Sequence, residues 1–203
     1  MGFSTNSSDF SANQELCLCL SERPVGFTAS FGYSVDDARR SSMTRSLENF
    51  KGLSASDAKV LEDIRTHSWH VTGVFPDQNE ARPDWAFSIG LFHSFVHPEI
   101  IVFGLKLDVC MNVINEIGQQ VKSGKLFNAG EQYGDILSGP YKCAFREVQR
   151  KHYRDYLGLA LWFYEGDPFP VTQCFWPDKD GRFPWDEGCD GGVRDAQPWL
   201  SLP

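Results

Sequence analysis

WAFSIGLFHSFVHPEIIVFGLKLDVCMNVINEIGQQVKSG, Trp85 to Gly124, decides how this chain folds. WAFSIGL is rich in β-branched and aromatic residues and reads as a strand. After FHSFVHPE, the short apolar run IIVFGL suits a buried strand. Asp108 is placed to cap a helix in which Cys110, Val113, Ile114, Ile117 and Val121 recur at intervals of three and four, and Gly124 ends it. Strand, strand and amphipathic helix thus follow one another within forty residues.

The flanks extend this pattern. SASDAKVLEDIRTH (54–67) opens on a serine suited to an N-cap and sets Val60, Leu61 and Ile64 on one helical face. WHVTGVF (69–75) reads as a strand and forms a hairpin with WAFSIGL across the loop PDQNEARPD. YKCAFREV (141–148) alternates like a strand. HYRDYLGLALWFYEG (152–166) has Tyr153, Tyr156, Leu157 and Leu161 at helical spacing, and Pro168 and Pro170 stop it. VTQCFW (171–176) is the last strand. Strands and helices mix without a regular βαβ alternation. The expected fold is therefore α+β, a mostly antiparallel or mixed sheet with two or three packed helices. We place this domain at 53–203. Residues 1–52 are rich in Ser and Asn with little periodicity and read as an irregular arm, with a short helix around Val35–Phe50.

Composition narrows the function classes. The chain has 203 residues, 41% of them hydrophobic and 14% aromatic, enough for one core. Its net charge of −8 repels phosphate backbones, so nucleic acid is a poor partner and a basic protein a better one. No apolar run is long enough to span a membrane, and the N-terminus lacks the pattern of a signal peptide. We expect a cytoplasmic protein with no membrane partner. The six cysteines match no zinc spacing and read as free, packed thiols.

No catalytic constellation emerges. His93 and His97 are spaced i, i+4, but Ser94 stands where a zincin has its glutamate, and Pro98 ends any helix there. If a metal bound, His93, His97 and Glu99 would hold it; the expectation is no metal, no cofactor and no structural disulfide. The competing role for His97 and Glu99 is to shape a tight turn, with Glu99 accepting backbone N–H bonds. CFWPDKDGRFPWDEG (174–188) joins aromatic, proline and acidic residues. Asp178–Gly181 has the chemistry of a turn, and its flanks carry rings toward the sheet. We expect Trp176 and Trp185 to clamp that turn and Asp178 to bond its N–H groups. A calcium loop starting at Asp178 would need a glutamate where Cys189 stands.

WAFSIGL with HPEIIVFGL, then CFWPDKDGRFPW, then AQPWL, resembles the bacterial family known as domain of unknown function 4262, over about Ile64 to Leu200. Two departures stand out: Phe87-Ser88 replaces a tyrosine-threonine pair, and Trp199 precedes Leu200. The resemblance marks His97, Glu99, Trp176, Asp178, Trp185 and Gln197 as positions that match the family pattern, and it implies no reaction. Two functions follow as expectations. One is a non-enzymatic protein-binding factor, immunity- or antitoxin-like or an accessory subunit, whose acidic surface meets a partner such as a basic toxin. The alternative is an enzyme or small-ligand binder with a pocket formed by His97, Glu99, Asp178 and nearby Trp residues.

Overall fold

A computed structural model describes Leu47, Phe50 and residues 53–76, 81–166 and 168–201. Apart from Leu47 and Phe50, the arm, including nearly all of the expected helix at Val35–Phe50, lies outside the described residues. Helix α1 (Ala55–His67) starts at a capping box: Ser54 Oγ accepts from Asp57 N–H and the Asp57 carboxylate accepts from Ser54 N–H, each at 3.1 Å. Ser68, at φ 81°, ends it and turns the chain back into β1 (His70–Val74). There follow β2 (Trp85–Ile89), a five-residue helix α2 (Leu91–Phe95), β3 (Glu99–Phe103) and the long helix α3 (Leu107–Lys122). Then come β4 (Gln132–Tyr133), β5 (Cys143–Glu147), a 3-10 turn at Arg150–His152, α4 (Tyr153–Tyr156), α5 (Gly158–Phe163), β6 (Val171–Phe175) and α6 (Gly191–Asp195).

The fold is α+β, with one six-stranded mixed sheet in the order β1-β2-β3-β6-β5-β4. β3 and β6 run parallel, with Glu99 opposite Val171, and every other pair is antiparallel. Both faces are covered, which is why β2 and β3 read as continuous apolar runs. Trp85, Phe87, Ile89, Ile101 and Phe103 pack against α1, α4 and α5. Ala86, Ile100 and Val102 face the opposite way, toward Cys110, Val113, Ile114, Ile117 and Val121 of α3. All five of those α3 residues are buried, Cys110, Ile114 and Ile117 completely. At about 25 cal/mol per Å² of apolar surface, this stripe is what fixes α3 to the sheet.

Two details of the sequence reading are corrected. Lys106, not Asp108, occupies the cap position of α3, and no side chain caps it; Asp108 sits in the first turn, where its charge suits the helix dipole. The helix expected over 152–166 is broken at Leu157, whose φ of −125° and ψ of 30° leave the helical region. Leu157 is nonetheless fully buried, so core packing sets the break.

Candidate functional site

The six family-matching residues are spent largely inside the fold. Glu99 opens β3 and is completely buried. One carboxylate oxygen accepts the N–H groups of Gly90 (2.8 Å) and Phe92 (3.1 Å) and the phenol of Tyr164; the other accepts the hydroxyl of Ser88. Ser88 Oγ in turn accepts the N–H of Ile100 at 2.9 Å, so its own hydrogen is directed at Glu99. The serine that departs from the family's threonine thus keeps the one group the position uses. Burial raises the Glu99 pKa against the pull of these donors, and burial beside Glu99 lifts that of Tyr164 far above the phenol range.

His97 is buried, and both ring nitrogens are occupied. Nδ1–H donates to the Pro98 carbonyl (2.8 Å), and Nε2 accepts from the N–H of Phe127 (3.2 Å). Burial lowers its pKa to about 4 against the pull of the Pro98 carbonyl, so the ring is neutral. A ring with both nitrogens bonded has none left to ligate an ion. The His93 ring lies edge-on to Phe163 at 5.8 Å. Among the described residues no three His, Cys, Asp or Glu side chains are grouped to hold a metal ion.

Asp178 is buried near the start of the loop that follows β6. Oδ1 accepts the N–H groups of Asp180 and Arg182, both at 2.9 Å; Oδ2 accepts Arg182 Nε at 3.0 Å and the N–H of Asp190 at 3.1 Å. Burial works against ionisation, but the three N–H groups and the Arg182 side chain hold its carboxyl down at about 2. Gln197 pairs with the strand end: Oε1 accepts Trp176 N–H (3.0 Å), and Nε2 donates to the carbonyls of Trp176 (2.9 Å) and Val193 (3.1 Å). The two tryptophans do not close on one turn as a pair. Trp176 packs on the α3 side, with Nε1 donating to the Phe103 carbonyl at 2.8 Å. Trp185 stacks on Phe183 at 4.9 Å, meets Trp199 edge-on at 5.2 Å and lies under the Arg146 guanidinium at 4.8 Å. Among the described residues His97, Glu99 and Asp178 share no hydrogen-bonding partner.

A different group of side chains lines a cleft of about 360 Å³ between α1, β1 and α3. Asp63 Oδ2 meets His70 Nδ1 at 2.7 Å, and the other Asp63 oxygen accepts from Lys59 Nζ. Burial opposes the charge on Asp63, but the bonds and charges of Lys59 and His70 hold its carboxyl below the ordinary value. An ionised Asp63 accepts from Nδ1–H, so in the neutral ring Nε2 of His70 is the acceptor. The same cleft is lined by His67, Trp69, Met111, Asn115 and Gln119. Trp69 Nε1 donates to Asn115 at 3.1 Å, which fixes the bonded atom as Oδ1 because indole N–H only donates. A second hollow of about 460 Å³ beside α3 carries Glu116 and Asp135 but no histidine or cation.

The sequence reading did not join Asp63 to His70. The signal was present: Asp63 lies on α1 one turn before His67, and a left-handed residue after the helix returns the strand alongside it. No curated protein and no solved structure matches the chain. The family model described as domain of unknown function (DUF4262) matches residues 63–190, from the Asp63 of the cleft to the Asp190 that closes the Asp178 loop, and the chain belongs to that family.

Proposed function

We propose that this chain is a bacterial, cytoplasmic, non-enzymatic protein-binding factor of the immunity, antitoxin or accessory-subunit kind. One observation carries the reading: the polar groups of His97, Glu99, Asp178 and Gln197 are consumed by the fold, which leaves the acidic exterior as the working surface. With a net charge of −8, that exterior suits a basic partner, such as a toxin encoded beside it. The test is to co-express the chain with the product of the adjacent gene and measure affinity at rising salt. Tight binding that weakens with ionic strength supports the reading. Absence of binding sinks it.

A second reading is favoured by the Asp63–His70 pair. It is a small-ligand site, located in this cleft rather than around His97, Glu99 and Asp178. The indole N–H of Trp69 is its reporter. Titration with N-acetylglycine methyl ester should move that signal saturably; an unmoved signal removes the reading.

A further inference from the structure

The walls of the Asp63–His70 cleft hold the parts of a reaction, and assigning one rests on the second reading, the cleft as a small-ligand site, in place of the non-enzymatic one. His70 is bound to Asp63 through Nδ1, and its Nε2 has no hydrogen-bond partner among the described residues. Asn115 holds Trp69 through Oδ1, and its Nδ2 amide has no partner among the described residues. Trp69, Val71 and Met111 supply apolar wall between these polar groups. A proton acceptor with a fixed tautomer, an amide donor and an apolar wall therefore meet in one cleft of about 360 Å³. That volume equals the share of about a dozen liquid waters at ~30 Å³ each, room for a small molecule.

The nucleophile and the charge of the cleft select the chemistry. The residues that line it include no serine, threonine or cysteine, and Lys59 is bonded to Asp63, so we assign water as the attacking group. Lys59 offsets the charge of Asp63 within the lining, which suits an uncharged ester, and the chain's net charge of −8 disfavours phosphate esters. We propose that the cleft hydrolyses small uncharged carboxylic esters, with Nε2 of His70 as the general base that takes a proton from water.

The step balances without a co-reactant. As Nε2 accepts the proton, the water oxygen forms a bond to the acyl carbon, and the carbonyl electron pair moves to oxygen, where the Asn115 amide donates a hydrogen bond. Collapse of that intermediate breaks the acyl C–O bond. The alcohol leaves with the proton held on His70, and the acid product is released. Asp63 is a positioning residue: it fixes the tautomer and stabilises the imidazolium.

The experiment uses the full chain and p-nitrophenyl acetate, with p-nitrophenolate release as the readout. Positioned general bases contribute about 10²–10⁴-fold, so His70→Gln should lose about a hundredfold in kcat/KM. Asp63→Asn should lose at least about tenfold and alter the acidic limb of the pH–rate profile, the limb that reports a general base, which a purely structural role would leave in place. His152→Gln, outside the cleft, should match the parent. Gln119→Trp, on the exposed face of α3, should block the cleft and abolish turnover with an unchanged melting curve, and it decides the matter if His70→Gln does not fold. Equal rates for the parent and a folded His70→Gln, or for the parent and Gln119→Trp, overturn the proposal. If the Trp69 signal still saturates with ester in that case, the ligand site stands and only the hydrolysis falls.

Discussion

The phenol of Tyr164 donates a hydrogen bond to the fully buried carboxylate of Glu99, 65 residues earlier in the chain. Tyr164 follows α5, and Glu99 begins β3. The same phenol oxygen accepts the N–H groups of Gly90 (3.2 Å) and His93 (3.3 Å). One side chain therefore ties α2, the start of β3 and the end of α5 together. Tyr164→Phe removes a donor to a buried charge and leaves two N–H groups without this acceptor. It should cost about 2–3 kcal/mol in urea unfolding, the range for bonds to charged groups. Glu99→Gln should cost more, because its amide nitrogen would face hydrogens. A cost below about 0.5 kcal/mol for either would mean that water replaces these bonds.

His97 predicts a pH dependence. Its folded pKa of about 4 lies below the ordinary 6.5, so below pH 6.5 the unfolded chain binds a proton that the folded chain refuses. Its contribution is full above pH 6.5 and is lost as the pH falls toward 4, by about 3 kcal/mol at 1.36 kcal/mol per pKa unit. Glu99, with its pKa raised, acts with the opposite slope above pH 4.5. The difference between parent and His97→Gln isolates the histidine, and that difference should shrink by about 3 kcal/mol between pH 7 and pH 4. A difference independent of pH would show that His97 titrates normally.

Gly104 is held open by the C-terminal segment. Its φ is +77°, and a Cβ there would lie 2.3 Å from the carbonyl oxygen of Ala196. That neighbour is backbone, which cannot step aside as a side chain can. Gly104→Ala combines overpacking with left-handed strain and should cost more than about 2 kcal/mol. The same substitution at Gly130, where no atom lies within 4 Å, meets only the strain. Paired melting curves check the contrast; equal losses at both sites would mean that the Ala196 contact gives way.

The loop after β6 separates two contributions. Trp185 packs on Phe175, Phe183 and Trp199 but is only part-buried, so Trp185→Ala should cost about 3 kcal/mol, the low end for a large core aromatic. Asp178→Asn should lower the melting temperature too. Oδ1 of an amide can still accept from Asp180 and Arg182, but the new NH₂ would confront Arg182 Nε and Asp190 N–H, both donors. The aspartate's share of stability persists above pH 4 and fades as the pH drops toward 2. An Asp178→Asn protein with the parent's melting curve and lost partner binding would move Asp178 from loop architecture to function.

What the sequence by itself determined lies within a few residues of each position. Val113, Ile114 and Ile117 repeat at helical spacing, so their face of α3 was legible, as was the turn that Asp178 and Gly181 build. The same short range explains what it left open. The parallel pairing of β3 with β6, the Glu99–Tyr164 bond and the Gln173 side chain that holds Pro198 and Leu200 join residues 25 to 72 positions apart. No local period encodes such partners; they are selected when the two faces of the sheet are covered and buried polar groups must find acceptors. The Asp63–His70 pair is the intermediate case. Its seven-residue spacing is local, but the contact exists only because Ser68 turns left-handed and β1 is drawn back under α3 by the burial of Trp69. Side-chain chemistry was visible in the letters, and the packing of a sheet between two helical layers decided which of those side chains still face a cleft.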